Sequence, residues 1–316
     1  MKKKYDDVIL EAFPLRDYAE DRATLGHVHL AETAQTETIT EGVTYKACRY
    51  VLGDGRDVWV YFALIAADAP VQLAAAAAPL RTIKTVKDHC ISYENNFETP
   101  VYLGMNASFF HYFRGGDLTP YGIQVVNGIE MALPALLDKD KPWYSHNFLA
   151  VDKAGKAFVS NSDEYYKTWQ GKLDYAVGGG FRLIRDGKIF LHSDQQGGEY
   201  NHAPRTAVAF AVDGTVILLC ADGRSKRSAG LSYGDMIEIV QGLGYPIKEL
   251  LNLDGGGSTT MVTRDAEGAH RVRNVPSGPA FPLNYQRYGM VRPEPYGDTQ
   301  VRGVADAVLV IPKQNK

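Results

Sequence analysis

The segment Asn252-Leu253-Asp254-Gly255-Gly256-Gly257-Ser258-Thr259-Thr260 sets an acid directly before three glycines and three hydroxyl residues. On a strand, Asn252 and Asp254 share a face, and bare glycine backbone beyond the acid can approach a ligand and aim N–H donors at an anion. Acid and anion cradle would then adjoin, an arrangement suited to breaking a bond beside a negatively charged group. A glycine-rich turn capped by Asp254 fits the same composition. A second run, His202-Ala203-Pro204-Arg205-Thr206, offers an arginine whose fork of donors can clamp phosphate or carboxylate; a surface ion pair is the plainer reading. Ala221-Asp222-Gly223-Arg224-Ser225 brings another acid and another arginine. In Gly104-Met105-Asn106-Ala107-Ser108, period two puts Asn106 and Ser108 on one face, either to tie down a loop or to bind a ligand. His111, His146 and His202 could serve in acid–base chemistry, although a lone histidine is more often structural.

These side chains need rigid elements to carry them. Asn127-Gly128 between Gly122–Val126 and Ile129–Met131, Asp186-Gly187 between Arg182–Arg185 and Lys188–Leu191, and Asp213-Gly214 between Thr206–Val212 and Thr215–Cys220 all read as type I′ hairpins. The first arm of the third is apolar enough to be buried on both faces, and its open ends bring Arg205 and Asp222 together as neighbours. Asn147–Val159 reads as a looser hairpin turning at Asp152–Gly155, and Gly178-Gly179-Gly180 as a tight turn. Ser232 with Asp235 is a capping-box signal for a helix whose apolar face is Met236, Ile237, Ile239, Val240 and Leu243, stopped at Gly244. A second helix is expected from about Thr85 to Asn95. Glu249–Asp254, Ser258–Thr263 and Asp306–Ile311 read as strands and Arg287–Arg302 as a loop; the alanine-rich stretch Val71–Leu80 has no clear assignment. The expected class is α+β, β-rich mixed sheets built from hairpins with a few packed helices. Residues 1–80 form an N-terminal β-rich region packed on a main domain at 81–316.

Composition narrows the function. With 34 Lys and Arg against 37 Asp and Glu the net charge is −3, so no basic excess invites nucleic acid. Cys48, Cys90 and Cys220 fit neither a disulfide framework nor a CxxC metal pair. The start, Met1–Asp7, leads into no apolar run of signal length, and no stretch is long enough to span a bilayer. P-loop, HExxH, GxSxG and Rossmann glycine motifs are absent from the sequence.

Taken together, the segments resemble the phosphodiester glycosidase family. The resemblance is strongest at Asn252–Thr260, continues at Pro204-Arg205-Thr206-Ala207-Val208, Asp213-Gly214, Asp222-Gly223-Arg224 and the helix before Asn252, is weaker at Asn106–Phe110, Gly178–Gly187 and Val301–Leu309, and covers about 80 to 312. Asn106-Ala107-Ser108 departs from relatives that carry glycines after the asparagine. The resemblance implies a hydrolase that cleaves the glycosidic bond of a sugar-1-phosphodiester. Arg205 and the amides of Gly255, Gly256 and Gly257 would hold the phosphate, with Ser258 or Thr259 adding a hydroxyl. Asp254 would be nucleophile or general base, Asp222 the second carboxylate or the group that orients Arg205, and Asn106 a ligand of a sugar hydroxyl. Ser108, His202, Thr206 and Arg224 complete the expected substrate contacts. No cofactor is required, and no dedicated metal loop is present, although oxygen ligands from Asp254 and Asp222 would suit Mg²⁺ or Ca²⁺. The partner is a phosphorylated glycan or sugar phosphate, with no nucleic acid, no membrane span and an undefined oligomeric state. The animal relatives' signal sequence, membrane anchor and cysteine-rich extensions have no counterpart here. The expected location is therefore cytoplasmic as the chain stands, and extracellular if its N-terminus was trimmed. The competing expectation is a non-catalytic carbohydrate- or cell-wall-binding module, with Tyr165, Tyr166, Trp169 and Tyr175 as stacking platforms.

Overall fold

The computed structural model describes residues 28–111, 117–134, 146–190, 202–277, 295–296 and 299–314. The readings of Met1–Asp7 and of most of the Arg287–Arg302 loop lie outside these residues, as does Leu191 of the second hairpin. In chain order the strands are β1 (His29–Thr40), β2 (Val43–Val51), β3 (Asp57–Ile65), β4 (Val71–Ala77), β5 (Leu103–Asn106), β6 (Gln124–Val126), β7 (Ile129–Ala132), β8 (Asn147–Asp152), β9 (Ala157–Asn161), β10 (Leu173–Gly178), β11 (Arg182–Arg185), β12 (Lys188–Ile189), β13 (Arg205–Ala211), β14 (Val216–Ala221), β15 (Ile247–Leu253), β16 (Met261–Arg264), β17 (His270–Val272) and β18 (Asp306–Pro312). The two main helices are α1 (Val86–Phe97) and α2 (Tyr233–Gly242). This is an α+β fold, rich in strands.

Three sheets carry the structure: β1-β2-β3-β14-β13-β15-β11-β12, β7-β6-β10-β8-β9 and β17-β16-β5-β18-β4, in which each described pairing is antiparallel. The sheets run across residue 80. β3 pairs with β14 from Val60↔Ala221 to Ile65↔Val216, and β4 pairs with β18 from Ala77↔Asp306 to Val71↔Pro312. The undecided alanine stretch is thus strand β4, where small side chains suit a strand packed between neighbours. One face of the eight-stranded sheet is covered by α2, where Phe62, Leu183, Ala209 and Leu219 meet Met236, Ile237 and Val240. Its other face packs Val208, Leu218 and Leu251 with Leu103, Met105 and Val308 of the third sheet. β13 is accordingly apolar on both faces, as its composition demands.

Local signals explain the ends of the elements. Ser232 accepts from Asp235 N–H at 3.1 Å while Asp235 accepts from Ser232 N–H at 2.8 Å, a complete capping box for α2. Thr85 caps α1 by accepting from Asp88 N–H. Asn127-Gly128 and Asp186-Gly187 have positive φ at both positions, as type I′ turns require. In the third hairpin only Gly214 does, and the strands end at Ala211 and Val216, so a wider loop replaces the expected two-residue turn. Gly178-Gly179-Gly180 is not a tight turn: Gly178 closes β10, and the chain passes on to β11 in another sheet. Ser258–Thr260 is not strand either; Gly256–Ser258 forms one 3₁₀ turn before β16 starts at Met261. Among the described residues no helix is long and apolar enough to cross a membrane.

Candidate active site

Arg205 begins β13 and Asp254 follows the end of β15, and the register Thr206↔Leu253 brings these two strand ends side by side. Pleat alternation turns Arg205 toward α2, where its guanidinium lies 4.3 Å from the centre of the Tyr233 ring and its Nε donates to Leu231 O at 2.9 Å. The glycines are there for close approach. A Cβ at Gly255 would sit 2.5 Å from Pro204 O, and Gly256, at φ +63°, lies under the Arg224 guanidinium, whose terminal nitrogens would be 3.2 and 3.3 Å from a Cβ. The triplet therefore brings the arginine-bearing segments onto the strand end.

Three guanidiniums gather at this point. Arg224 is in electrostatic contact with Arg205, Arg302 and Asp254; burial and then the two like charges hold its guanidinium below the usual arginine range, opposed by Asp254. Arg302 Nη1 donates to Ser258 Oγ at 3.4 Å. The Asp254 carboxylate accepts from the Ser258 hydroxyl and from Gly255 N–H. Burial pushes its carboxyl up to about 6, and the nearby charge of Asp306 adds to that, against Ser258, Arg302 and the Gly255 amide. Arg302 and Asp306 were not singled out by the motif reading. The available signal was position: Arg302 stands just upstream of the closing strand, separated from it by Gly303-Val304-Ala305, and Asp306 is an acid opening an otherwise apolar run.

Behind the site lies a buried polar layer. Asn106 is fully buried; its Nδ2 donates to Asp254 O at 2.6 Å, and its Oδ1 accepts from Thr206 Oγ1 and Thr260 N–H, both at 3.0 Å. Thr206 Oγ1 also approaches Thr259 Oγ1 at 3.3 Å, and Ser108 donates to Asp306 from both N–H and Oγ. Asn106, Ser108, Thr206 and Thr259, expected as substrate contacts, lie here as buried braces hydrogen-bonded within the protein, none more than 1% exposed. The amide cradle is corrected in part. Gly255 N–H serves Asp254 and Gly256 N–H donates to Pro204 O at 2.8 Å, so the arginines supply most of the positive charge.

Two further expectations are corrected. Asp222 does not orient Arg205, since alternation turns it to the opposite face of the sheet, where it accepts from Tyr61 Oη at 2.8 Å, Asn274 Nδ2 at 3.0 Å and Val275 N–H at 3.0 and 3.1 Å. Its oxygens are so occupied within the protein, and among the described residues no group of three or more His, Cys, Asp or Glu side chains could hold a metal ion. Burial pushes the Asp222 carboxyl up to about 6, against its hydrogen bonds. A raised folded value means stability present at acid pH and lost as pH rises through about 6. Asp222→Ala leaves buried donors unmatched and is expected to cost roughly 1–3 kcal/mol, read as a lower Tm, with the larger loss at pH 5 than at pH 8. His202 is pinned away from the acid, with Nε2 3.1 Å from Asp235 Oδ2 and Nδ1 3.2 Å from Arg56. Burial alone would raise Asp235, but hydrogen bonds from His202 and Ser232 hold it below the usual range. Of the aromatic residues expected as stacking platforms, Tyr165 and Tyr175 are buried and serve the core, Tyr175 shares a 2.8 Å hydrogen bond with Tyr93, Trp169 packs on Phe158 at 4.4 Å, and Tyr166 is 39% exposed.

The family model for phosphodiester glycosidase matches residues 99–310. No curated protein matches the sequence in a direct search. Among solved structures, the chain is similar to the zebrafish N-acetylglucosamine-1-phosphodiester alpha-N-acetylglucosaminidase catalytic domain, auto-inhibited by its pro-peptide, at a TM-score of 0.60 and 16% identity, covering 99% of this chain and 100% of that one. It is also similar to a hypothetical protein from Synechocystis at a TM-score of 0.55 and 16% identity, covering 90% of this chain and 64% of the other.

Proposed function

The chain belongs to the phosphodiester glycosidase family, and from that premise we propose that it hydrolyses the glycosidic bond of a sugar-1-phosphodiester. The observation that carries the reading is the gathering of Arg224 and Arg302 beside the Asp254 carboxyl, with Arg205 next to Arg224. The leaving group is a phosphate monoester, whose second pKa of about 6 makes it far easier to expel than an alkoxide. Strong protonation by a general acid is then unnecessary. Charge must instead be stabilised on the departing oxygens, which the guanidiniums do, and a carboxylate must act at the sugar carbon, which falls to Asp254 as nucleophile or as base for water. Overall, water oxygen bonds to C1, the C1–O bond breaks with its electron pair going to the phosphate oxygen, and one proton is released to Asp254 and then to solvent. Ser258 steadies the acid, and Asp222 holds the fold.

The substrate would be a phosphorylated glycan or sugar phosphate, and no metal ion takes part in the scheme. Screening sugar-1-phosphodiesters, UDP-sugars and aryl glycosides, with and without chelator, tests it. Release from the phosphodiesters that survives chelation is expected. Turnover of aryl glycosides alone would overturn the phosphate assignment, and loss on chelation would overturn the metal-free scheme.

A further inference from the structure

Asp306, the first residue of β18, is buried, with 1% of its surface exposed. Its Oδ1 accepts from Ser108 N–H at 2.8 Å, and its Oδ2 from Ser108 Oγ at 2.7 Å and Gln124 Nε2 at 3.1 Å. Ser108 Oγ in turn accepts from Gly178 N–H at 2.9 Å, so its own proton is directed at Asp306. Three donors thus converge on one carboxyl, the arrangement that favours its ionised form. Burial raises its value from the ordinary carboxylate range, and the hydrogen bonds from Ser108 and Gln124 oppose that.

The link to Asp254 is a single peptide group. The carbonyl of Ala107 accepts from Asp254 N–H at 2.9 Å, and the N–H of the same peptide, that of Ser108, is the one donated to Asp306. Asn106, one residue earlier, fixes the Asp254 carbonyl. A planar peptide therefore holds the two acids in a fixed relation. Facing Asp254 are Arg302, Arg224, the Ser258 hydroxyl, the Gly255 amide and Asp306; facing Asp306 are Ser108, Gln124 and Asp254.

We infer that Asp306 is a positioning residue for Asp254: it presents a buried negative charge behind the Asp254 carboxylate and so fits that carboxylate to accept and keep the proton of the water that attacks C1. The identity of that water rests on the sugar-phosphodiester reading; the coupling of the two acids rests on the shared Ala107–Ser108 peptide and on the charge contact between the carboxyls. Asp306→Asn removes the charge at nearly constant size. The expected result is an acid limb of kcat/KM moved to lower pH and a plateau kcat reduced roughly tenfold, as a weaker base gives a slower proton transfer, with KM changed less than about twofold. A folded Asp306→Asn protein whose acid limb stays at the wild-type pH overturns the inference.

A second measurement needs neither turnover nor that variant. In wild-type protein with ¹³C-labelled aspartate carboxyls, the Asp306 resonance should show an ionised carboxylate at neutral pH and an inflection at the midpoint of Asp254, and Asp254→Asn should abolish that inflection. A neutral Asp306 at pH 7, or no shared inflection, refutes the coupling. Coupled titration without turnover of any sugar phosphodiester would leave the acid pair standing and reject the substrate reading; turnover without coupled titration would do the reverse.

Discussion

Asp254→Asn is expected to lower kcat/KM for a sugar-1-phosphodiester by about 10³-fold or more, since it removes the group that acts at the sugar carbon. The change is nearly isosteric, and the asparagine carbonyl can still accept from Ser258 or Gly255, which the carboxylate engages in the wild type. The fold should survive, for a reason that follows from the sign of the perturbation. Folding lifts this carboxyl from an ordinary value of 3.8 to about 6, so the stability it contributes is present at acid pH and lost as pH rises through about 6. At pH 7.5 an amide gives up nothing by lacking that charge, and Tm should be equal to or higher than that of the wild type. Activity and melting measured together check the claim. Residual turnover within tenfold of wild type, in a protein of unchanged Tm, would remove Asp254 from the chemistry.

Arg302→Met should reduce kcat/KM by roughly 10²–10³-fold, the usual cost of losing one preorganised donor to developing negative charge. The thioether keeps much of the side chain's length, so the hydrogen bond to Ser258 and the charge are what is removed. KM should rise and the salt dependence of kcat/KM should weaken, because one of the three arginines proposed to hold the phosphate is gone. Arg302 also lowers the proton affinity of Asp254, so its loss should move the acid limb to higher pH, opposite in direction to Asp306→Asn. An unchanged kcat/KM would mean that the phosphate lies elsewhere.

Much of the frame was legible in the sequence because its signals are local. Asn127-Gly128 and Asp186-Gly187 demand positive φ, Ser232 and Asp235 satisfy each other's backbone, and the apolar runs of β13 and β18 need cover on both faces. The acid and the arginine at two strand ends were legible as well, since a sheet presents its rim residues to solvent. What could not be read was which polar residues sit beside the arginine cluster and which lie behind it. Asn106 and Asp254 look equally functional in one dimension, yet only long-range pairing decides that the amide is spent on holding the acid's backbone. Asp222 misled for a related reason: a one-residue step along a pleat reverses the side chain, and the motif Asp-Gly-Arg does not say where the strand ends. The aromatic residues from Tyr165 to Tyr175 had no periodicity that could separate core from platform, and a π-helical turn over Tyr165–Trp169 disguised it further.

The third sheet joins residue 77 to residue 306, and the eight-stranded sheet joins residue 60 to residue 221. Closing such distant pairs has a large loop entropy, so acquisition of this architecture should be slow, in the millisecond-to-second regime of non-local β topologies. Arg302 and Asp306 both arrive with the last of the described strands. On the proposed scheme, a nascent or truncated chain stopping before residue 300 would have Asp254 but neither Arg302 nor Asp306, and its turnover would wait until the final strand zips in.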